Sequence, residues 1–257
     1  MENLFEMTAY VLAGVVAGLV NTLAGGGSIF TLSLLFFLGM PAHIANGTNR
    51  LGILVQNISG SYTFQKSGLL DIQASMHYVV PSLIGALVGA SVATDIEADL
   101  LEMVVGGLMI FMLVGVLFEP KQKKNMVGVG RNKNHWLQSL FFLGVGFYGG
   151  FVQAGIGILI IVAFSFTSSI GMIRSNAIKM LIIAIYSLPV FCIFIYKGQV
   201  AWLAAILLAV GQLIGTWVAG KYVAKRPGVN KLVKWVLVVM ILATIFKTFG
   251  VFAILPI

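Results

Sequence analysis

Ala24-Gly25-Gly26-Gly27-Ser28-Ile29-Phe30-Thr31-Leu32-Ser33-Leu34-Leu35-Phe36-Phe37-Leu38-Gly39-Met40 places three glycines and a serine ahead of a short apolar piece, Ile29–Met40. A glycine run inside apolar sequence breaks a helix, because nothing beyond Cα restricts the backbone there. The apolar piece is well short of the roughly 20 residues that cross a bilayer, yet too apolar to be a solvated loop. The same arrangement returns 130 residues later, where Ala154-Gly155-Ile156-Gly157 opens the apolar piece Ile156–Ser168. Broken helices at membrane depth are tolerated only where they are buried in protein or line a cavity.

Working outward, the 130-residue offset holds: ANGTNRL at Ala45–Leu51 lies over SNAIKML at Ser175–Leu181. QKSGLL at Gln65–Leu70 recurs in outline as YKGQVA at Tyr196–Ala201. A duplicated unit of about 120 residues is therefore expected, as in many secondary transporters. It divides the chain into a first repeat, 1–118, a basic linker, 119–135, and a second repeat, 136–257.

Composition sets the solvent. Of 257 residues, 59% are hydrophobic and 9% charged, with a mean hydropathy of +1.02. A soluble domain carries about 25% charged residues, so most of this surface must face lipid. Eight long apolar stretches can be marked: Thr8–Leu23, Ile44–Phe64, His77–Thr94, Leu101–Phe118, Trp136–Gln153, Arg174–Tyr196, Val200–Ala219 and Leu232–Ile254. They do not alternate polar and apolar residues, as the strands of a membrane barrel do. The expected fold is an all-α membrane protein of two repeated halves, each with four long transmembrane helices and one short, glycine-initiated helix that is broken or re-entrant.

Charge sets the orientation. The linker Glu119–His135 carries Lys121, Lys123, Lys124, Arg131 and Lys133; the loop before the last span carries Lys221, Lys225, Arg226, Lys231 and Lys234. Loops rich in Lys and Arg stay in the cytoplasm. Both face inward only if each short piece counts as a crossing. Five crossings per half is an odd number, so the repeats are expected to be inverted, with the acidic turn Asp95–Asp99 and both termini outside. The net charge of +8 is thereby a loop property and not a nucleic-acid footprint. The single cysteine, Cys192, excludes a disulfide framework. The opening MENLFEMTAY has no basic residue, so the first apolar stretch is expected to stay in the mature protein.

The breaks also carry chemistry. Where a new helix starts, unpaired N–H groups bear about half a positive charge and favour an anion. Gly25, Gly26, Gly27 and Ser28 form the first such start, with Ser28 a candidate cap or ligand. Asn46, Thr48 and Asn49 add donors at the next helix, and Gly155, Gly157, Asn176 and Lys179 mirror these parts in the second half. Close helix packing is the ordinary alternative for any single glycine. Arg50 and Lys179 stand at nearly equivalent repeat positions, five or six residues or about 8–9 Å inside their spans. A cation at that depth either snorkels outward or serves an internal anion. All eight acids map to termini, loops or first turns, leaving no carboxylate proton carrier. His43 is the best placed of the three histidines, and Asn21, Gln56, Asn57 and Gln153 are further polar groups in apolar runs. Pro81 and Pro189 are expected to kink their helices.

The runs AGGGSIFTLSLLFFLGMPAHIANGTNR and AGIGILIIVAFSF resemble the TauE/SafE family of sulfite exporters, bacterial and plant membrane proteins of two related halves. The resemblance covers nearly the whole chain. It is specific where Gly25-Gly26-Gly27-Ser28 precedes Gly47-Thr48-Asn49 by about 20 residues. It implies transport of sulfite, another sulfur oxyanion, an organosulfonate or a related small organic anion across a bacterial inner membrane, with proton coupling often invoked. Lys179 departs from the family, whose second-half motif more usually has Thr or Ser, and this bears on the substrate. The expected partners are that anion and the lipid bilayer, with no cofactor, no metal and no nucleic acid; oligomeric state stays open, a dimer included. An intramembrane enzyme is the first rival. No histidine sits mid-span beside a serine nucleophile, and no His/Glu cluster has metal-ligand spacing. An anion channel is the closer alternative, since broken helices also build filters.

Overall fold

The computed structural model describes residues 4–23, 26–117, 135–167, 170–219 and 242. Those residues form nine α-helices and no strand: α1 Leu4–Leu23, α2 Gly27–Phe37, α3 Ala42–Lys66, α4 Ile72–Asp95, α5 Ala98–Leu117, α6 His135–Phe151, α7 Ile156–Thr167, α8 Met172–Tyr196 and α9 Trp202–Val218. Seven of the eight long apolar stretches coincide with a helix, and both short pieces are helical. The eighth, Leu232–Ile254, lies outside the described residues except for Leu242, as do almost all of the linker and the whole second basic loop.

Local chemistry sets the helix ends. Asp71 caps α4 by accepting from Ala74 N–H at 2.9 Å, and Gly68 and Gly198, at φ +68°, close the turns that end α3 and α8. Pro81 and Pro189 lie inside α4 and α8. By length and apolarity alone, two described helices suffice to cross a membrane, Ile72–Asp95 and Ile173–Tyr196. Glu6–Thr22, Gly27–Phe37 and Trp202–Val218 are apolar but shorter.

The sides are apolar, and many of the helices' polar side chains are gathered inside, within a core that is otherwise apolar. Val80, Ile84, Val88 and Val92 make an exposed stripe along α4, and Ile206, Val210, Leu213 and Trp217 make another along α9. Such runs at three- and four-residue spacing are one face of a helix turned to an apolar solvent. The interior buries Asn21, Ser28, Thr31, Asn46, Thr48, Asn49, Arg50, Gln56, Asn57, Gln153, Lys179, Ser187 and Gln212. Six of these belong to α3, the central helix, which packs on α2, α8 and α9.

Two helix pairs approach to backbone contact. Gly14 and Gly18 of α1 meet Gly211, Gln212 and Thr216 of α9, and Gly85 and Gly89 of α4 meet Leu143, Phe147 and Phe151 of α6. Residue numbers rise together across both contacts, so each pair is parallel. Gly60 of α3 meets Met180 of α8, whereas Gly47 of α3 meets Phe194 and Gln199, so α3 and α8 are antiparallel. Following the turns, α1, α3, α5 and α9 point one way and α4, α6 and α8 the other. The C-termini of α5 and α9 therefore share one end of the bundle. The opposite end gathers the α4–α5 and α8–α9 turns, where Lys197 pairs with Asp95 at 2.6 Å and Gln199 donates to the Thr94 carbonyl at 3.1 Å.

Candidate functional site

The two glycine-initiated breaks meet at their helix N-termini. Ser28, in the first turn of α2, donates through Oγ to the Gln153 carbonyl at 3.1 Å and accepts from Gly155 N–H at 3.0 Å. It does not cap its own helix: the residue at that position is Gly26, without any side-chain cap. Of the two roles open to Ser28 from sequence, cap or ligand contact, the cap is replaced by a bond across 125 residues. Two positive helix ends meet in the interior, one from each half of the chain.

The first turns of α3 surround this junction. Asn49 Nδ2 donates to the Ser28 carbonyl at 3.4 Å, and Thr31 Oγ1 donates to Asn49 Oδ1. Asn46 Nδ2 donates to the Phe151 carbonyl at 2.6 Å. Arg50 is fully buried. Its NH1 donates to the Gly149 carbonyl and to Gln153 Oε1, both at 3.2 Å. Its NH2 donates to Asn46 Oδ1 at 3.2 Å, to the Gly150 carbonyl at 2.5 Å and to the Phe151 carbonyl at 3.4 Å. The guanidinium carbon lies 4.3 Å from the centre of the Phe194 ring, and Nε alone has no partner. Three of these acceptors are the last carbonyls of α6, the negative end of that helix. The oxygens around Arg50 are therefore carbonyl and amide oxygens, not carboxylates.

The remaining expected residues divide. Gly25 lies outside the described residues. Gly27 is pressed against α1, where a Cβ would come closer than 3.0 Å to the Ala17 carbonyl oxygen; it is a packing glycine as well as a helix start. Thr48 Oγ1 accepts from Ala201 N–H at 2.9 Å and so serves the start of α9. Gly155 has φ +66°, which glycine adopts without strain. Gly157 is buried in α7, and Asn176 is half-buried in α8. Lys179 is 2% exposed, so its side chain does not reach outward, and its ammonium has no hydrogen-bond partner among the described residues. With Gly60 against Met180, Lys179 stands level with Ser61 of α3. That is eleven residues, about 16 Å along the axis, from Arg50. The two cations are both interior but do not converge on one point.

Gln153 is the junction residue that sequence reasoning treated as a generic polar group. Its backbone is left-handed, φ +62°, the only positive value for a non-glycine among the described residues. Its side chain accepts from Arg50 and donates to Ser187 Oγ at 3.1 Å. A left-handed glutamine costs about 1–3 kcal/mol and persists only when its surroundings over-determine it, as they do at ligand sites. Nothing in a glutamine's identity signals this. His43, the candidate titrating group, lies in the first turn of α3 with Nε2 2.9 Å from the Ile96 carbonyl.

No Asp or Glu is among the buried residues described, while Arg50 and Lys179 are. Among the described residues, an apolar outside, buried polar groups without a carboxylate and two meeting helix N-termini are features that suit a membrane transporter. The profile of the sulfite exporter TauE/SafE family matches residues 10–248, and the chain belongs to that family. It is 25% identical to the probable membrane transporter protein ORF9 of Sinorhizobium sp, over 95% of this chain and 93% of that protein. It is likewise 25% identical to the probable membrane transporter protein YfcA of Escherichia coli strain K12, over 93% of this chain and 90% of that protein. The probable membrane transporter protein YdhB of Bacillus subtilis strain 168 is also 25% identical, over 85% of this chain and 89% of that protein. No solved structure matches the chain.

Proposed function

We propose that this protein is a secondary transporter of a small anion, a sulfur oxyanion such as sulfite or an organosulfonate, working by alternating access in a bacterial inner membrane. The observation that carries the reading is the meeting of the α2 and α7 N-termini through Ser28. The dipoles of the two helices there favour negative charge, and no buried carboxylate among the described residues opposes it. Gly26, Gly27, Ser28, Asn46, Asn49 and Arg50 surround the junction from the first half and Gly155 and Gly157 from the second, while Thr48, Asn176 and Lys179 stand along the anion's path away from the junction. Gly25 completes the first break.

The two halves work as inverted repeats. Exchanging α1 with α6, α2 with α7, α3 with α8 and α4 with α9 turns the α1–α9 contact into the α4–α6 contact and α3–α9 into α4–α8. The glycine pairs exchange with them, and the antiparallel α3–α8 pairing is what an inverted relation requires. Rocking of one half against the other then exposes the junction to either side in turn. The shared end of α5 and α9 is cytoplasmic in this scheme, since both basic loops begin there. Proton coupling, where present, makes anion flux follow an imposed pH gradient.

Sulfite titration of the purified protein tests the site. Gly26→Leu and Gly157→Leu, whose branched side chains would cover the N–H groups, are expected to abolish binding while folded protein still reaches the membrane. Sulfite affinity equal to wild type in both variants would return these glycines to ordinary helix packing.

A further inference from the structure

Arg50 looks from sequence like a direct partner for the anion, but its guanidinium is already engaged. Five of its hydrogen bonds go to protein oxygens, three of them the final carbonyls of α6, Gly149, Gly150 and Phe151. Asn46, one turn earlier on α3, is both a partner of Arg50 and a donor to the same Phe151 carbonyl. The stretch gripped in this way leads directly into the turn 152–155. There Gln153 and Gly155 are both left-handed, and Val152 and Gln153 N–H return to the Tyr148 carbonyl at 3.0 and 3.3 Å. That turn aims the start of α7 at the junction.

We infer that Arg50, with Asn46, is a positioning residue. It caps the negative end of α6 across the two halves and holds the 152–155 turn in the conformation that presents the α7 N-terminus to the anion. This refines the proposed anion site and rests on that reading for its role in transport, but the positioning itself operates without an anion. The fork shape of the guanidinium is what the task needs. Arginine offers five N–H donors in one plane, whereas lysine concentrates its charge at a point and cannot reach three successive carbonyls and two side-chain oxygens together. The stacking of the guanidinium on Phe194 fixes its plane. A positive charge at a helix C-terminus is also favourable in itself.

Hydrogen exchange on the anion-free protein in lipid nanodiscs separates positioning from ligation. Wild type is compared with Arg50→Lys, Arg50→Gln, the milder Asn46→Ala, and Lys179→Met. Positioning predicts that amides 152–158 exchange roughly ten- to hundredfold faster in both Arg50 variants, the factor set by losing a charged hydrogen bond. A smaller increase is expected in Asn46→Ala and none in Lys179→Met. Arg50→Lys should then lose as much transport as Arg50→Gln, although it keeps the charge. If an Arg50 variant fails to fold, the α1–α9 contact will exchange as well, and Asn46→Ala carries the test. Unchanged exchange of 152–158 in the Arg50 and Asn46 variants overturns the positioning role. Arg50→Lys with wild-type sulfite affinity would make Arg50 a charge ligand. Absence of sulfite binding by the wild type, with the exchange pattern as expected, would instead remove the transport reading and leave the positioning role standing.

Discussion

Ser28 divides its hydroxyl between a carbonyl and an N–H of the other half, and this makes it the smallest part of the junction with a measurable effect. Ser28→Ala leaves Gly155 N–H and the Gln153 carbonyl without that partner. A buried polar group so stranded costs about 1–3 kcal/mol, so the variant is expected to unfold in detergent at lower temperature and to transport more slowly. A melting temperature equal to wild type would mean that the Ser28 bridge is not made. At this scale the sequence was partly legible. Glycine runs, a buried serine and a buried arginine are visible as exceptions to an apolar background, and exceptions at membrane depth ask for a partner. Their partners were not legible, because the partner of Ser28 is a backbone group 125 residues away. The left-handed backbone of Gln153 was hidden for a related reason: its partners Ser28, Arg50 and Ser187 come from three other helices, and glutamine itself carries no signal for it.

Helices α1 and α9, and α4 and α6, are held by glycine against backbone. The pattern Gly-x-x-x-Gly occurs in each: Gly14 and Gly18, Gly211 and Gly215, Gly85 and Gly89, Gly146 and Gly150. At each of these eight positions a Cβ would fall closer than 3.0 Å to a facing backbone atom. Gly85→Ala and Gly215→Ala are therefore expected to destabilise by about 1–3 kcal/mol, the usual cost of overpacking. Gly107→Ala and Gly144→Ala, which open onto empty space, should be neutral or gain up to about 1 kcal/mol from helix propensity. Equal effects in the two groups, measured by thermal unfolding, would contradict the packing described here. These four motifs stand in the sequence beside the more conspicuous glycine-rich breaks. Small residues at a four-residue spacing in an apolar helix are a packing signal in their own right. The helices themselves were easy to place, since long apolar runs without alternation leave little choice in lipid. Their neighbours were not, because hydrophobic periodicity is weak when both the outside and much of the inside are apolar.

Across the whole molecule, helix directions bring the ends of α5 and α9 together and set Asp95, Lys197 and the start of α3 at the far end. If the shared end is cytoplasmic, a cysteine at Ala98 should react with an impermeant reagent in intact cells. One at Ser67 should react only after permeabilisation, in a background where Cys192 is replaced. The opposite pattern, or equal labelling of both, would contradict the orientation. The charge distribution and the duplicated motifs predict this orientation from the sequence alone. They do so because topology follows from where lysine and arginine cannot go, a constraint that acts on loops and needs no knowledge of packing. The central claim is that a small anion moves through the junction by alternating access. Counterflow in proteoliposomes measures this most directly: vesicles holding purified protein and loaded with unlabelled sulfite are diluted into a trace of radiolabelled sulfite. A transporter predicts transient accumulation of label above equilibrium, saturating with sulfite concentration. Label that only approaches equilibrium, at a rate linear in concentration, or that does not enter beyond protein-free vesicles, would contradict it.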